Sequence, residues 1–128
     1  MRSSCNWMSK AKNISLLALQ ILTAAAFLIA GCAKLSGQPM MVETFEKIGV
    51  GQSFRFLTGG IEVVSAVLLL IPSLAAIGAG LLLCTMIGAV ITHLAIIGGS
   101  PVAAIVLGTF TAIIFVGRIS TLTRRFNI

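Results

Sequence analysis

The chain has 128 residues and a formal net charge of +6, yet only 9% of its residues are charged while 58% are hydrophobic. An ordinary soluble domain has about 25% charged residues, so this composition excludes a soluble protein with a catalytic domain of its own. The mean hydropathy of +1.11 and apolar runs of about 20 residues, which match the thickness of a bilayer, indicate that lipid surrounds most of the chain.

The basic residues lie at the two ends of the apolar sequence. Those before the first run and after the last are Arg2, Lys10, Lys12, Arg118, Arg124 and Arg125. This distribution is typical of cytoplasmic ends in a membrane protein, with lipid phosphates as their partners. Because no basic face is interleaved with aromatic residues, we expect the lipid bilayer as partner and no nucleic acid.

The first apolar run, residues 14–33, predicts a membrane-spanning helix. A second interpretation stays open, because a basic start, an apolar segment and then Ile29, Ala30, Gly31 and Cys32 also resemble a bacterial lipoprotein signal. Cleavage would leave Cys32 as a lipidated N-terminus. The three further apolar runs favour an uncleaved helix, in which the small residues serve packing.

The connection that follows, residues 34–55, is the longest polar segment. Pro39 can begin a helix and Gly49 can end one. Between them, apolar and charged residues alternate as in a short amphipathic helix on the membrane interface or over the protein. An irregular solvated loop is the alternative.

Three more spans follow, separated by turns at Pro72 and at Gly98–Pro101. The four predicted spans are residues 14–33, 55–71, 74–97 and 102–117. An even number of spans places both termini on one side, and the basic ends indicate the cytoplasm. The prediction is one all-α domain over residues 1–128, an integral membrane four-helix bundle of antiparallel up-down topology.

Small residues recur within the last three spans at positions that would let helices approach closely. The predicted packing positions are Gly59, Gly80, Cys84, Gly88, Ala104, Gly108 and Ala112.

Glu62 and His93 are the ionisable side chains set within apolar sequence. Because a charge in hydrocarbon is costly, such residues normally face the protein interior and are candidates for function. At helical rise Glu62 lies about 10 Å, and His93 about 6 Å, below the outer surface. Lys34 and Arg55 lie at the same level, so the four residues predict a half-buried polar pocket near the outer face.

This pocket has two interpretations. Glu62 and His93 could handle protons or bind the polar head of a small ligand such as a quinone. Alternatively they form an interhelical hydrogen bond, with Lys34 and Arg55 extending to the interface.

Other chemistries have no support in the sequence. There is no Asp, the acids are three Glu, and His93 is the single histidine. The three cysteines lie far apart, without metal-ligand spacing. We therefore expect no metal, no cofactor in the chain itself and no self-contained catalytic site, and whether the protein is an enzyme stays open.

Several segments resemble one known family. They are AGCAKLSG at the end of the first span, FEKIGV in the connection, and LTGGIEVVSAVLLLIP and GAGLLLCTMIGAVITHL in the next two spans. These segments resemble the DoxX-like family of small four-span membrane proteins. The matching positions are Lys34, Leu35, Gly49, Gly59, Glu62, Pro72, Gly78, Met86, Ala89 and His93.

The resemblance implies a four-helix bundle in the cytoplasmic membrane of a prokaryote. The wider family is named for a subunit of a thiosulfate:quinone oxidoreductase, which implies an accessory role in a quinone-linked or stress-related membrane redox system, with a redox partner. The alternatives are a non-catalytic protein that binds or passes a small molecule or ion, as a homo-oligomer, and a purely structural membrane partner.

Overall fold

A computed structural model describes residues 2–126, and these residues form helices and turns without a strand. The elements are α1 (Arg2–Ser36), α2 (Pro39–Ile48), α3 (Gln52–Leu69), α4 (Ala75–Thr92) with a π-helical continuation (His93–Ile97), and α5 (Val102–Phe126). Side chains are described for residues 10–120, 122 and 123, so those of Arg2, Cys5, Arg124 and Arg125 lie outside the described part.

Three helical segments are long and apolar enough to cross a membrane: Lys10–Ser36, Ala75–Ile97 and Val102–Ser120. The fold is therefore an all-helical membrane protein. Helix α3 is not among the three, because its first turn is polar and it carries Arg55 and Glu62. Helix α1 begins at Arg2, well before the predicted span, since the polar residues ahead of that span include no Pro or Gly to interrupt a helix.

The outer surface of the fold is apolar and part of its interior is polar. Leu22, Ile29 and Val116 are about 70% exposed (69%, 72% and 73%), whereas Gln20 and Glu62 are each 1% exposed. In water such an arrangement would expose a large apolar surface to solvent, which is unfavourable. It suits lipid, where apolar side chains face hydrocarbon and polar groups must find partners inside the protein.

Helices α1 and α3 approach closely through two glycines. A Cβ on Gly31 would lie 3.3 Å from the Cβ of Glu62, and a Cβ on Gly59 would lie 3.0 Å from that of Lys34. Residues later in α1 thus meet residues earlier in α3, so these two helices run in opposite directions. The contact brings Lys34 and Glu62 to the same interface.

Helix α4 packs against α3 through Gly78, where an added Cβ would lie 2.6 Å from the backbone oxygen of Ser65. The predicted small-residue seam of α4 is turned partly away from this contact. Gly80 lies beside a phenyl ring of α5, but Cys84 is exposed and Gly88 has no atom within 4 Å of its would-be Cβ. Helix α4 therefore uses a face offset from the seam that the four-residue spacing predicts.

The predicted packing positions of α5 lie against the rest of the fold. Ala104 is buried, Ala112 is half-buried, and a Cβ on Gly108 would lie 3.3 Å from the Cβ of Met86. Helix α5 thus packs along α4, and it also contacts α1.

The connection after α1 contains an amphipathic helix, which is one of the two forms that the sequence allows there. Pro39 opens α2, and Gly49 ends it in the left-handed conformation with φ 85°. Phe45 is buried on its inner face, where its ring lies 5.8 Å from that of Phe54. Helix α2 is thereby held against α3 and the π-helical segment, across one end of the interior.

Candidate functional site

A charged pair lies at the α1–α3 contact. Lys34 Nζ donates a hydrogen bond of 3.0 Å to Glu62 Oε2, and the two side chains are 15% and 2% exposed. A carboxylate this deeply buried needs a partner of opposite charge, because its desolvation costs several kcal/mol. Lys34 is that partner.

The reach of Lys34 follows from helix geometry. Each Cα–Cβ bond of a helix tilts toward the N-terminus of that helix. The lysine stem therefore runs back along α1, past the close approach at Gly59, toward Glu62 one turn further along α3. A Cβ on Gly59 would lie 3.0 Å from the first carbon of that stem, and a Cβ on Gly31 would lie 2.7 Å from Val63 Cγ2, so larger side chains at either glycine would push the two helices apart.

Arg55 stabilises the end of α1 and makes no hydrogen bond or ion pair with Glu62. Its Nη1 donates to the backbone oxygen of Lys34, its Nε donates to Gln52 Oε1 at 2.8 Å, and its guanidinium lies 4.3 Å from the centre of the Phe56 ring. Arg55 is buried. It orients the segment that carries Lys34 rather than lining the cavity described below.

His93 begins the π-helical segment, a form often found at functional positions. Its Nδ1 lies 2.9 Å from the backbone oxygen of Ala89. A carbonyl only accepts, so Nδ1 carries the proton and Nε2 is left as an acceptor in the neutral ring. Among the described residues His93 makes no hydrogen bond to Glu62.

Lys34, Glu62 and His93 line one cavity of about 520 Å³. Its walls come from α1, α2, α3, α4 and α5, and are mostly apolar. The larger apolar lining residues are Phe27, Met40, Met41, Phe45, Ile48, Phe54, Leu57, Ile61, Met86, Ile97 and Leu107. An apolar cavity with a few polar groups at fixed positions is the usual form of a small-molecule site.

The arrangement can bind and orient a ligand and can exchange protons with it. No group of three or more His, Cys, Asp or Glu side chains that could hold a metal ion occurs among the described residues.

A second buried polar cluster, which the sequence analysis did not identify, lies between α1, α3 and α5. Arg118 Nε donates to Gln20 Oε1 at 2.6 Å, and its Nη1 donates to Asn13 Oδ1 at 2.8 Å. Gln20 Nε2 in turn donates to the backbone oxygen of Leu69 at 2.7 Å. The cluster connects the other end of α3 to α1 and α5.

One signal in the sequence could have indicated this cluster. Gln20 is the one amide within the first predicted span, and a polar residue there normally faces the protein interior. Arg118 directly follows the fourth predicted span and resembles a flanking basic residue. Only the rotation of α5, which turns Arg118 inward to 6% exposure, separates it from such residues.

Comparison with curated proteins and with solved structures gives no match. The sequence profile of the DoxX-like family matches residues 18–117. The matched region contains α2, α3, α4, most of α5, and the side chains of Lys34, Glu62 and His93 that line the cavity. The chain therefore belongs to the DoxX-like family.

Proposed function

We propose that this protein binds a small apolar molecule with a polar head group, a quinone, and acts as an accessory subunit of a quinone-linked membrane redox system. One observation carries the proposal: an apolar cavity of about 520 Å³ has a partly buried lysine–glutamate pair and an imidazole in its wall. Ligand cavities commonly measure about 300–1,000 Å³, so a quinone ring with part of its tail fits this volume.

The residues present suit a quinone head group. Lys34 donates one hydrogen bond to Glu62 and has two further N–H groups for a ligand oxygen. Glu62 and His93 can give or accept the protons that accompany reduction and oxidation. The apolar walls hold the ring and tail away from water. Reduction of a quinone to a quinol takes two electrons and two protons, and a membrane redox partner supplies the electrons.

The proposal includes four membrane crossings, with α3 as the fourth. Helix α3 has 18 residues, or about 27 Å at helical rise, and three of its polar side chains, Arg55, Glu62 and Ser65, are buried. The short α3–α4 and α4–α5 connections favour an antiparallel up-down bundle. Both termini then lie in the cytoplasm of a prokaryotic cell, and the cavity lies near the outer face. Fusions at the C-terminus test this orientation. A fluorescent-protein fusion that stays dark, together with a phosphatase fusion that is active in the periplasm, would show that the C-terminus lies outside and contradict the proposal.

The test of function is quinone binding to the purified protein in nanodiscs. We expect saturable binding by the wild type, and at least tenfold weaker binding by Glu62→Gln and by His93→Ala. Thr109→Val is the matched control, because Thr109 is on α5, bonds its own helix and does not line the cavity. If no quinone binds to a folded wild type, or if both variants bind as well as the control, the proposal fails and the charged pair is structural.

A further inference from the structure

The threonines that line the cavity present acceptors to it. Each one donates its hydroxyl proton to the backbone oxygen four residues earlier in its own helix, at 2.8–2.9 Å. A hydroxyl that donates in this way has only its lone pairs left for a ligand. The four threonines are Thr44, Thr58, Thr85 and Thr92.

The ionisable groups extend the same pattern. In the neutral imidazole, the hydrogen bond from His93 Nδ1 to the oxygen of Ala89 leaves Nε2 as an acceptor. Glu62 Oε2 accepts from Lys34, while Oε1 accepts no hydrogen bond from the described residues. Among the described side chains that line the cavity, Lys34 is the one that has N–H groups not already used within the protein. Acceptors thus outnumber donors on the wall.

We infer that the cavity selects a ligand whose head group donates hydrogen bonds, a hydroxyl-bearing apolar molecule. The choice of probe rests on the proposed function: of the two forms of a quinone, this wall binds the quinol more tightly. A quinone has two carbonyl oxygens, which can accept a hydrogen bond from Lys34 but find only acceptor atoms on the rest of the wall. A quinol oxygen still accepts from Lys34, and its O–H donates to Glu62, His93 or a threonine.

The experiment compares two pairs of probes in nanodiscs under anaerobic conditions. One pair is a short-tailed benzoquinol and its quinone, and the other is an alkylphenol and its methyl ether, which differ by one donor and have no redox chemistry. One additional hydrogen bond to a charged or buried acceptor corresponds to about a tenfold difference in affinity. We expect the quinol and the phenol each to bind about tenfold more tightly than their partners.

Two variants separate donor selection from simple apolar affinity. Glu62→Gln adds an amide donor to the wall, so the ratio of the affinity for quinol to the affinity for quinone should fall toward one. His93→Phe keeps a ring but removes the Nε2 acceptor, and it should reduce the preference without breaking the Lys34–Glu62 pair. Thr109→Val should keep the full preference, because its hydroxyl lies outside the cavity.

The outcomes distinguish this inference from the proposed function. If neither quinol nor quinone binds but the phenol binds in preference to its ether, the quinone function fails and donor selection stands. If quinone and quinol bind equally well, or the quinone binds more tightly, donor selection is overturned while the quinone function stands. If none of the four probes binds, both are overturned.

Discussion

The Lys34–Glu62 pair predicts an asymmetric response when one partner is removed. Lys34→Met leaves the carboxylate of Glu62, 2% exposed, without its partner. Stranding a buried charge costs about 3–5 kcal/mol of unfolding free energy. Glu62→Met instead leaves Lys34, which is 15% exposed and lies in the last turn of α1. Its long stem can move the ammonium toward the interface, so we expect a loss of about 1–2 kcal/mol.

The double variant tests whether the charges themselves carry the cost. With both partners replaced by Met, no charge remains buried, and an apolar pair of similar volume is often neutral relative to an ion pair. We expect the double variant to lie within about 1 kcal/mol of the wild type. The double-mutant cycle then has a coupling energy of several kcal/mol, which is the signature of direct contact.

The free energies can be measured by equilibrium unfolding in mixed detergent–SDS micelles at neutral pH. Lys12→Met is the matched control, because Lys12 is an exposed lysine of the same helix, and we expect it to change stability by less than about 0.5 kcal/mol. Equal losses for the two single variants would refute the burial argument. A double variant as unstable as the sum of the single variants would refute the pairing.

Three further predictions rest on other contacts. Gly78→Ala should lower the free energy of unfolding by about 1–3 kcal/mol, because the added Cβ would meet the backbone of α3. Gly88→Ala in the same helix should leave it unchanged or raise it by up to about 1 kcal/mol, and equal unfolding midpoints for the two variants would contradict this. Arg118→Met should lower the free energy of unfolding by about 1–3 kcal/mol, since Gln20 and Asn13 lose their hydrogen-bond donor. Arg118→Lys should be almost as unstable, because an ammonium does not reproduce the planar set of guanidinium donors. Unfolding assays in which both variants are as stable as the wild type would exclude a stabilising role for the cluster. Phe45→Ala should detach α2 from the rest of the fold, so that proteases cleave within residues 38–51 several-fold faster than in Val50→Ala, a control at an exposed position. Identical cleavage rates in the two variants would show that Phe45 does not hold α2 in place.

Much of the site was accessible from the sequence because a bilayer restricts where charge can lie. Glu62 stood out in apolar sequence, and counting the spans brought Lys34 to the same membrane half. The structure pairs these two residues directly. It also places His93 on the same cavity but with its hydrogen bond to its own helix, a distinction that depends on side-chain rotation and that spacing does not encode. Whether these residues bind a ligand stays a prediction.

The sequence by itself determined an all-helical membrane protein and the membership of the DoxX-like family, because hydropathy and family motifs are local properties of the chain. After the first span it left open a short amphipathic helix or a solvated loop, and the structure has the helix, from Pro39 to Ile48. Only the tertiary structure determined which face of each helix is turned toward the protein interior. Cys84 and Gly88 were expected at a packing seam and lie outside the α4 contact face, whereas Arg118 was expected at the flank and is buried with Gln20. The physical reason is that helix rotation depends on the summed packing of several helices. In a chain apolar on nearly every side, no hydrophobic stripe specifies that rotation in advance.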